Sequence, residues 1–308
     1  MHIILTELGY EPYIVTTNHK NVNISFLKRT TNIVEIKNYS DIKENDYDIL
    51  LVNSDQTWRR WDNFFYDCGF LLFAKNWNKL KFVYGASLGY DYWSFNETDE
   101  KIIKPLISNF SEISVREKGS VKLIEEHFGK LTKLVLDPTL IIDKKYYLNL
   151  IKNYQIDYNY TNDYIFFYHV NAIKYEMKSF IEKAKKELNL KIYYFKLDNS
   201  SLVEDFLYYL KNSKAVITNS LHCTIFSILF KKPFITFNYN DTGIERLKSL
   251  SELLEFQERI IYNNQKANIN LLSNPIKINY KILNKKRVQS INYLKHNLNL
   301  YKKNIINF

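Results

Sequence analysis

The sequence predicts an α/β protein built as two halves, each a parallel sheet with crossover helices. Two observations carry this. Short apolar, β-branched runs alternate with helix-like stretches over most of the chain, and a polar Tyr/Asn-rich segment interrupts the alternation midway. Seven glycines and five prolines in 308 residues leave few breaks, which favours long regular elements.

In the first half "YEPYIVTT", "YDILLVNS" and "KFVYGAS" read as strands, and "EISVRE" as a short fourth. A helix is expected from about Ser120 to Phe128, with Val121, Ile124 and Phe128 on one side and Gly129 as its stop. "KLVLDPTLII" closes the half as a strand running into a Pro-fixed turn. The expected first domain is 1–145, and the polar stretch 146–162 is its connection to the second. The second domain, 163–265, begins at "DYIFFYHV". It continues through a helix near Lys174–Leu188, strand "KIYYF", helix "SLVEDFLYYLKN", strand "KAVIT", an apolar helix after His222 and strand "PFITF".

Hydrophobic residues at 46% mark a folding chain. No apolar run approaches the roughly 18–20 residues of a membrane span, and the N-terminus lacks the order of a secretory signal. Cys68 and Cys223 show no metal or redox spacing. The expected location is cytoplasmic. The net charge of +10 belongs to the tail: residues 266–308 hold nine Lys and Arg and no acid, leaving 34 basic against 33 acidic residues elsewhere. There Val288, Ile291, Leu294, Leu298 and Tyr301 recur at helical spacing, with Lys281, Lys285 and Lys286 largely off that face. Such a basic amphipathic helix either packs on the body with its charge in water, or also contacts anionic phospholipid at the inner face of the membrane. No nucleic-acid module accompanies the charge.

Ligands in parallel α/β folds lie beyond the carboxyl ends of strands, and several chemistry-bearing residues fall there. His222 follows "AVIT" just where an apolar helix begins, with Asn219 and Ser220 as favoured N-caps. A helix start attracts anions, so His222 either completes a polar cap or touches a bound anion. Arg116 after "ISV" suits a carboxylate or phosphate, or makes a surface ion pair. Ser54 and Asp55 in "NSDQTW" either grip a hydroxyl-bearing ligand or form an Asx-type turn. Gly85 in "YGASLG" allows close backbone approach, Arg246 in "NDTGIERL" opens another helix, and Asp137 in "DPTL" reads as a turn residue. No metal cluster or nucleophile elbow is present in the sequence.

Taken in order, "NSDQTW", "YGASLG", "ISVREKGSV", "LDPTLII" and "ITNSLHCTIFSILFKKPFITFN…TGIERL" resemble the polysaccharide pyruvyl transferase family over residues 45–260. The resemblance implies two Rossmann-like domains facing across a cleft, a GT-B-like arrangement. The N-terminal domain is expected to lack its first strand and Gly-containing loop, because "MHIILTELGYEPYIV" looks like the end of the first helix and the second strand. "NSLHCT" has Asn219 and Cys223 where the family has an acid and a glycine, and Asn53 stands where glycine is common.

What the resemblance implies for function is transfer of pyruvate from phosphoenolpyruvate to sugar hydroxyls, often as a cyclic ketal on a surface glycan such as a capsule or exopolysaccharide. Arg116 and His222 would match the family's donor-contacting arginine and histidine, and Asp55 the acid of its Gly-Ser-Asp segment. The expected roles are therefore catalysis by His222 and Asp55, and substrate binding by Arg116, Ser220, Asn219, Arg246, Ser54 and Gly85. Phosphoenolpyruvate is expected as co-substrate with no further cofactor and no metal, and a glycan or lipid-linked sugar as acceptor. Two alternatives stand beside this: a non-catalytic relative binding a glycan or partner, and a glycosyltransferase of the same architecture using a nucleotide sugar.

Overall fold

A computed structural model describes residues 1–17, 29–60, 65–152, 163–170, 172–197, 202–239 and 243–306. The chain divides into two compact units, Met1–Ile141 with Leu283–Phe308, and Ile142–Ile282. Every strand pairing among the described residues is parallel. A parallel neighbour requires a crossover, which is what the alternation of apolar runs and helical stretches anticipates.

The first unit opens with helix α1 (His2–Glu7), then β1 (Tyr13–Thr17) and β2 (Asn32–Ile36), which form a two-stranded sheet. A four-stranded sheet follows in simple order: β3 (Ile49–Val52), α2 (Phe65–Phe70), β4 (Leu80–Ala86), α3 (Glu97–Ser108), β5 (Ile113–Val115), α4 (Lys118–Phe128), β6 (Thr132–Leu134) and the short α5 (Pro138–Ile141). The strands are short and apolar because both faces are covered; Phe82, Val83, Tyr84, Ile113 and Val115 are fully buried. The sequence reading had no counterpart for β2 or α3. Yet α3 carries a clear start signal: Asn96 caps the N–H of Asp99 at 2.9 Å, and the Asp99 carboxylate accepts from Asn96 N–H at 3.0 Å.

The second unit contains α6 (Lys144–Ile151), β7 (Tyr164–Tyr168), α7 (Tyr175–Leu188), β8 (Lys191–Phe195), α8 (Val203–Asn212), β9 (Ala215–Thr218), α9 (Leu221–Leu229), β10 (Phe234–Phe237), α10 (Ile244–Leu254) and β11 (Ile260–Ile261). Its sheet runs β11-β10-β9-β7-β8. The strand order therefore reverses between β7 and β9: the chain leaves β7 to one side for β8, and returns to the other for β9, β10 and β11. Arg259 is buried behind β10, donating to the carbonyls of Phe234 at 3.2 Å and Leu271 at 2.7 Å.

The boundaries differ from those expected at 1–145, 146–162, 163–265 and 266–308. The first six residues of the expected connection lie in α6, where Tyr147 and Ile151 are buried and the Tyr147 ring meets Phe226 edge-on at 5.0 Å. Residues 153–162 of that connection lie outside the described residues. The last helix, α11 (Tyr280–Ile306), passes into the first unit from Leu283 onward. Its inward face also departs from the expected stripe. Val288 is 58% exposed, whereas Leu283, Ser290, Tyr293, Leu294, Asn297 and Leu298 are buried. Two polar residues enter that face because each finds partners: Ser290 Oγ accepts from Leu136 N–H at 3.0 Å, and Asn297 donates to Glu112 at 3.2 Å and accepts from the Ser111 hydroxyl at 3.2 Å. Tyr293 donates to Val83 O at 2.8 Å, tying the helix to β4.

Candidate functional site

Marked residues stand at the carboxyl ends of β3 to β6 in the first unit: Ser54 and Asp55 after β3, Gly85 as the next-to-last residue of β4, Arg116 directly after β5 and Asp137 after β6. Asp55 adopts φ +89, a left-handed backbone that costs a non-glycine residue on the order of 1–3 kcal/mol and persists only when its surroundings impose it. A bridge to Ala86 helps to impose it. Its side chain is 61% exposed, and one carboxylate oxygen lies 3.2 Å from Arg116 NH2. Arg116 itself is only 4% exposed. NH1 bonds the Asp137 carboxylate, and Nε lies 4.0 Å from Glu117. Burial by itself lowers the guanidinium pKa, but the carboxylates of Asp137, Glu117 and Asp55 outweigh it and raise it.

Asp137 is held from its other oxygen, which accepts from the Thr139 N–H at 2.9 Å and hydroxyl at 2.6 Å. This is the turn the sequence anticipates, with an ion pair added that spacing alone did not disclose. Gly85 takes φ +63. A Cβ there would stand 3.4 Å from Arg116 Cγ and 3.5 Å from Ser54 Cβ, so the glycine serves the backbone path beside Arg116. Arg116, expected from the resemblance to meet a donor anion, thus faces carboxylates within its own unit.

In the second unit the strand reversal between β7 and β9 creates the crevice where open α/β sheets bind ligands. Asn219 spans it, its side-chain oxygen accepting from Val170 N–H at 2.8 Å. Ser220 is the N-cap of α9: its hydroxyl accepts from Cys223 N–H at 3.4 Å, and its own N–H donates to Thr218 Oγ1 at 3.0 Å. It shapes the helix start as a buried cap. Every other residue of α9 is buried, so His222 alone in that helix is half-buried. Burial pushes the Cys223 thiol up to about 12, which keeps the next side chain neutral. The sequence places His222 correctly at the strand-to-helix junction.

Arg246 lies in the first turn of α10, its guanidinium folded over Gly243 at φ +86. A Cβ on Gly243 would collide with that guanidinium. Two further residues at this edge escaped the sequence reading. His169 is exposed directly after β7, its ring 5.5 Å from Phe167, and "FFYHV" carried the signal of a histidine ending an apolar run. Lys174 precedes α7 and donates to Tyr239 O at 3.1 Å and Asn263 at 3.2 Å. The loops and helix starts that follow the strands of this sheet therefore carry His169, Lys174, His222 and Arg246, side chains of a kind suited to an anion.

Each unit is thus a Rossmann-like α/β layer with its polar residues at the carboxyl edge of a parallel sheet. Residues 3–241 match polysaccharide pyruvyl transferase, and the chain belongs to that family. Among curated proteins, none matches it significantly. Two solved structures share the fold. A Listeria monocytogenes protein described as a UDP-N-acetylglucosamine 2-epimerase has a TM-score of 0.51 at 16% identity, covering 88% of this chain and 80% of that one. Anabaena HepE in complex with UDP has a TM-score of 0.51 at 10% identity, covering 96% and 94%.

Proposed function

We propose that the protein transfers pyruvate from phosphoenolpyruvate to two hydroxyls of a glycan or lipid-linked sugar, closing a cyclic ketal in surface-polysaccharide synthesis. Family membership supports a transferase. The observation that carries the reading is His222, the one half-buried residue of α9, standing at the helix start beside the strand reversal of its sheet.

In the reaction a proton adds to the methylene carbon of the donor while a sugar hydroxyl attacks the adjacent carbon and gives up its own proton. The bond from that carbon to the phosphate oxygen breaks, and a second hydroxyl closes the ring. A donor with a phosphate and a carboxylate suits the α9 start at Asn219 and Ser220, with Arg246 as a further cation. An imidazole is the side chain fitted to move protons near neutral pH, so His222 contacts phosphate and acts as general acid or base. Asp55 orients or deprotonates the acceptor hydroxyl, with Ser54 beside it. Exposed lysines of α11 attract the protein to anionic lipid that carries the acceptor, at the cytoplasmic face.

Calorimetric titration with phosphoenolpyruvate tests the reading. The protein should bind it, and His222→Ala should weaken binding at least about tenfold, the loss of one charge-assisted contact. Equal affinity in both proteins removes His222 from the donor site. Absence of donor binding, together with binding of a nucleotide sugar, replaces the reading with glycosyl transfer.

A further inference from the structure

We infer that the loop between β4 and α3 presents Tyr92, with Tyr90 and Arg59 beside it, as a stacking platform for a pyranose ring of the acceptor glycan. The inference rests on the proposed reading of Asp55 as the carboxylate that handles the acceptor hydroxyl.

Tyr92 is 54% exposed and Tyr90 half-buried, their ring centres 5.0 Å apart at 35°. Arg59, from the loop after β3, sets its guanidinium 5.2 Å from the centre of the Tyr90 ring, and its Nε donates to the Tyr90 hydroxyl at 3.3 Å. The same guanidinium donates to the Gln56 side-chain oxygen at 3.0 Å. Gly89 makes room for this stack: a Cβ there would stand 2.8 Å from Arg59 Cδ, and φ +78 favours glycine.

The loop is held at both ends. Trp93 stacks on His127 of α4 at 3.8 Å and 8°, and its indole N–H donates to Glu100 of α3 at 2.5 Å. Glu100 also lies 3.1 Å from His127 Nδ1, and Phe95 is buried. Towards β4 the loop is tied to the one that carries Asp55. Trp58 N–H donates to Ser87 O at 3.2 Å, and Asp55 forms a bridge with Ala86. An aromatic ring on such a support gives up little freedom when a ligand covers it. The platform is also continuous with the loop of the proposed acceptor carboxylate.

The chemistry of the patch selects the class of ligand. A pyranose offers a face of C–H bonds that covers an aromatic ring, and an edge of hydroxyls that bond planar polar groups. Here the rings are bordered by a guanidinium, an amide and the exposed carboxylate of Asp91. A lipid chain wants a continuous apolar groove, which those groups interrupt. A polysaccharide acceptor, as the family's description implies, fits the same surface.

The test screens the native chain against immobilised bacterial glycans built from hexoses and N-acetylhexosamines. The best-retained glycan is then titrated by NMR into the native chain, Tyr92→Ala and Tyr92→Phe. Tyr92→Ala should weaken binding at least about fivefold, whereas Tyr92→Phe, which keeps the ring, should stay within about twofold. Because Tyr92 is exposed, Tm should be nearly unchanged in both. If Tyr92→Ala fails to fold, Arg59→Ala serves in its place with the same loss expected. Retention of no glycan by the native chain overturns the inference. Equal affinity in Tyr92→Ala overturns it too, by placing the glycan elsewhere, and an equal loss in Tyr92→Phe does so by making the hydroxyl the contact instead of the ring. Titration with phosphoenolpyruvate reports separately on the transferase reading: a chain that binds glycan but no donor loses that reading, and the Tyr92 variants still decide the platform.

Discussion

Asp55 combines a charge, an open position and a backbone conformation that favours glycine, and these can be separated by substitution. Asp55→Gly and Asp55→Ala both remove the carboxylate and its contact with Arg116, yet only glycine accepts φ +89 without a Cβ penalty. Thermal unfolding should therefore find the glycine variant more stable than the alanine variant by about 1 kcal/mol, with both lacking transfer activity. Equal stability would mean that the loop relaxes out of the left-handed region once the carboxylate is gone. His222 was legible in the sequence because a strand, two capping residues and an apolar helix announce their junction locally. The surroundings of Arg116 were not legible. Its partners arrive from the ends of β3 and β6, and Asp137 looked like a turn residue because its second oxygen does serve the turn.

At the scale of elements, α11 shows what hydrophobic periodicity can and cannot reveal. Leu294 and Leu298 were found on the inward face, but Val288 was not, because the helix turns Ser290 and Asn297 inward instead and satisfies them with hydrogen bonds. A pattern that scores only apolar residues rotates the face by the width of those two side chains. Strand β2 was missed for a different reason: none of its residues is buried, and Glu35 interrupts its short apolar run. The two faces of α11 predict opposite outcomes. Leu294→Ala removes a fully buried side chain and should cost about 2–5 kcal/mol, read as a lower Tm. Charge reversal at the exposed Lys281, Lys285 and Lys295 should leave Tm nearly unchanged and reduce sedimentation with anionic vesicles. Vesicle binding that survives reversal would remove the membrane proposal. Among the described residues no helix is long and apolar enough to cross a bilayer.

For the molecule as a whole, the buried phenols and thiol set an alkaline limit. Burial pushes Tyr39 and Cys223 up to about 12 and also raises Tyr84, Tyr164 and Tyr293. In the unfolded chain these groups lose protons near their ordinary values of about 8.5 for Cys and 10 for Tyr. Above those values the unfolded state binds fewer protons than the folded one. The stabilisation is complete below about pH 8.5 and is lost as pH rises towards 12. Urea midpoints at pH 8 should exceed those at pH 11, with tyrosinate absorbance appearing at lower pH in the unfolded protein. A midpoint constant up to pH 11 would contradict the burial of these side chains.

The passage of α11 into the first unit has a consequence for how the protein is made. The ribosome delivers β3 to β6 early, but the residues that cover them, from Leu283 onward, emerge only after the whole second unit. At about 5–20 residues per second the intervening stretch Ile142–Ile282 takes roughly 7–28 s to synthesise. Throughout that interval the backbone groups of Val83 and Leu136 wait for Tyr293 and Ser290, and the apolar surface that Leu294 and Leu298 will cover stays open. That apolar surface therefore stays exposed on the nascent chain, and the first unit can be completed only as the last helix leaves the exit tunnel.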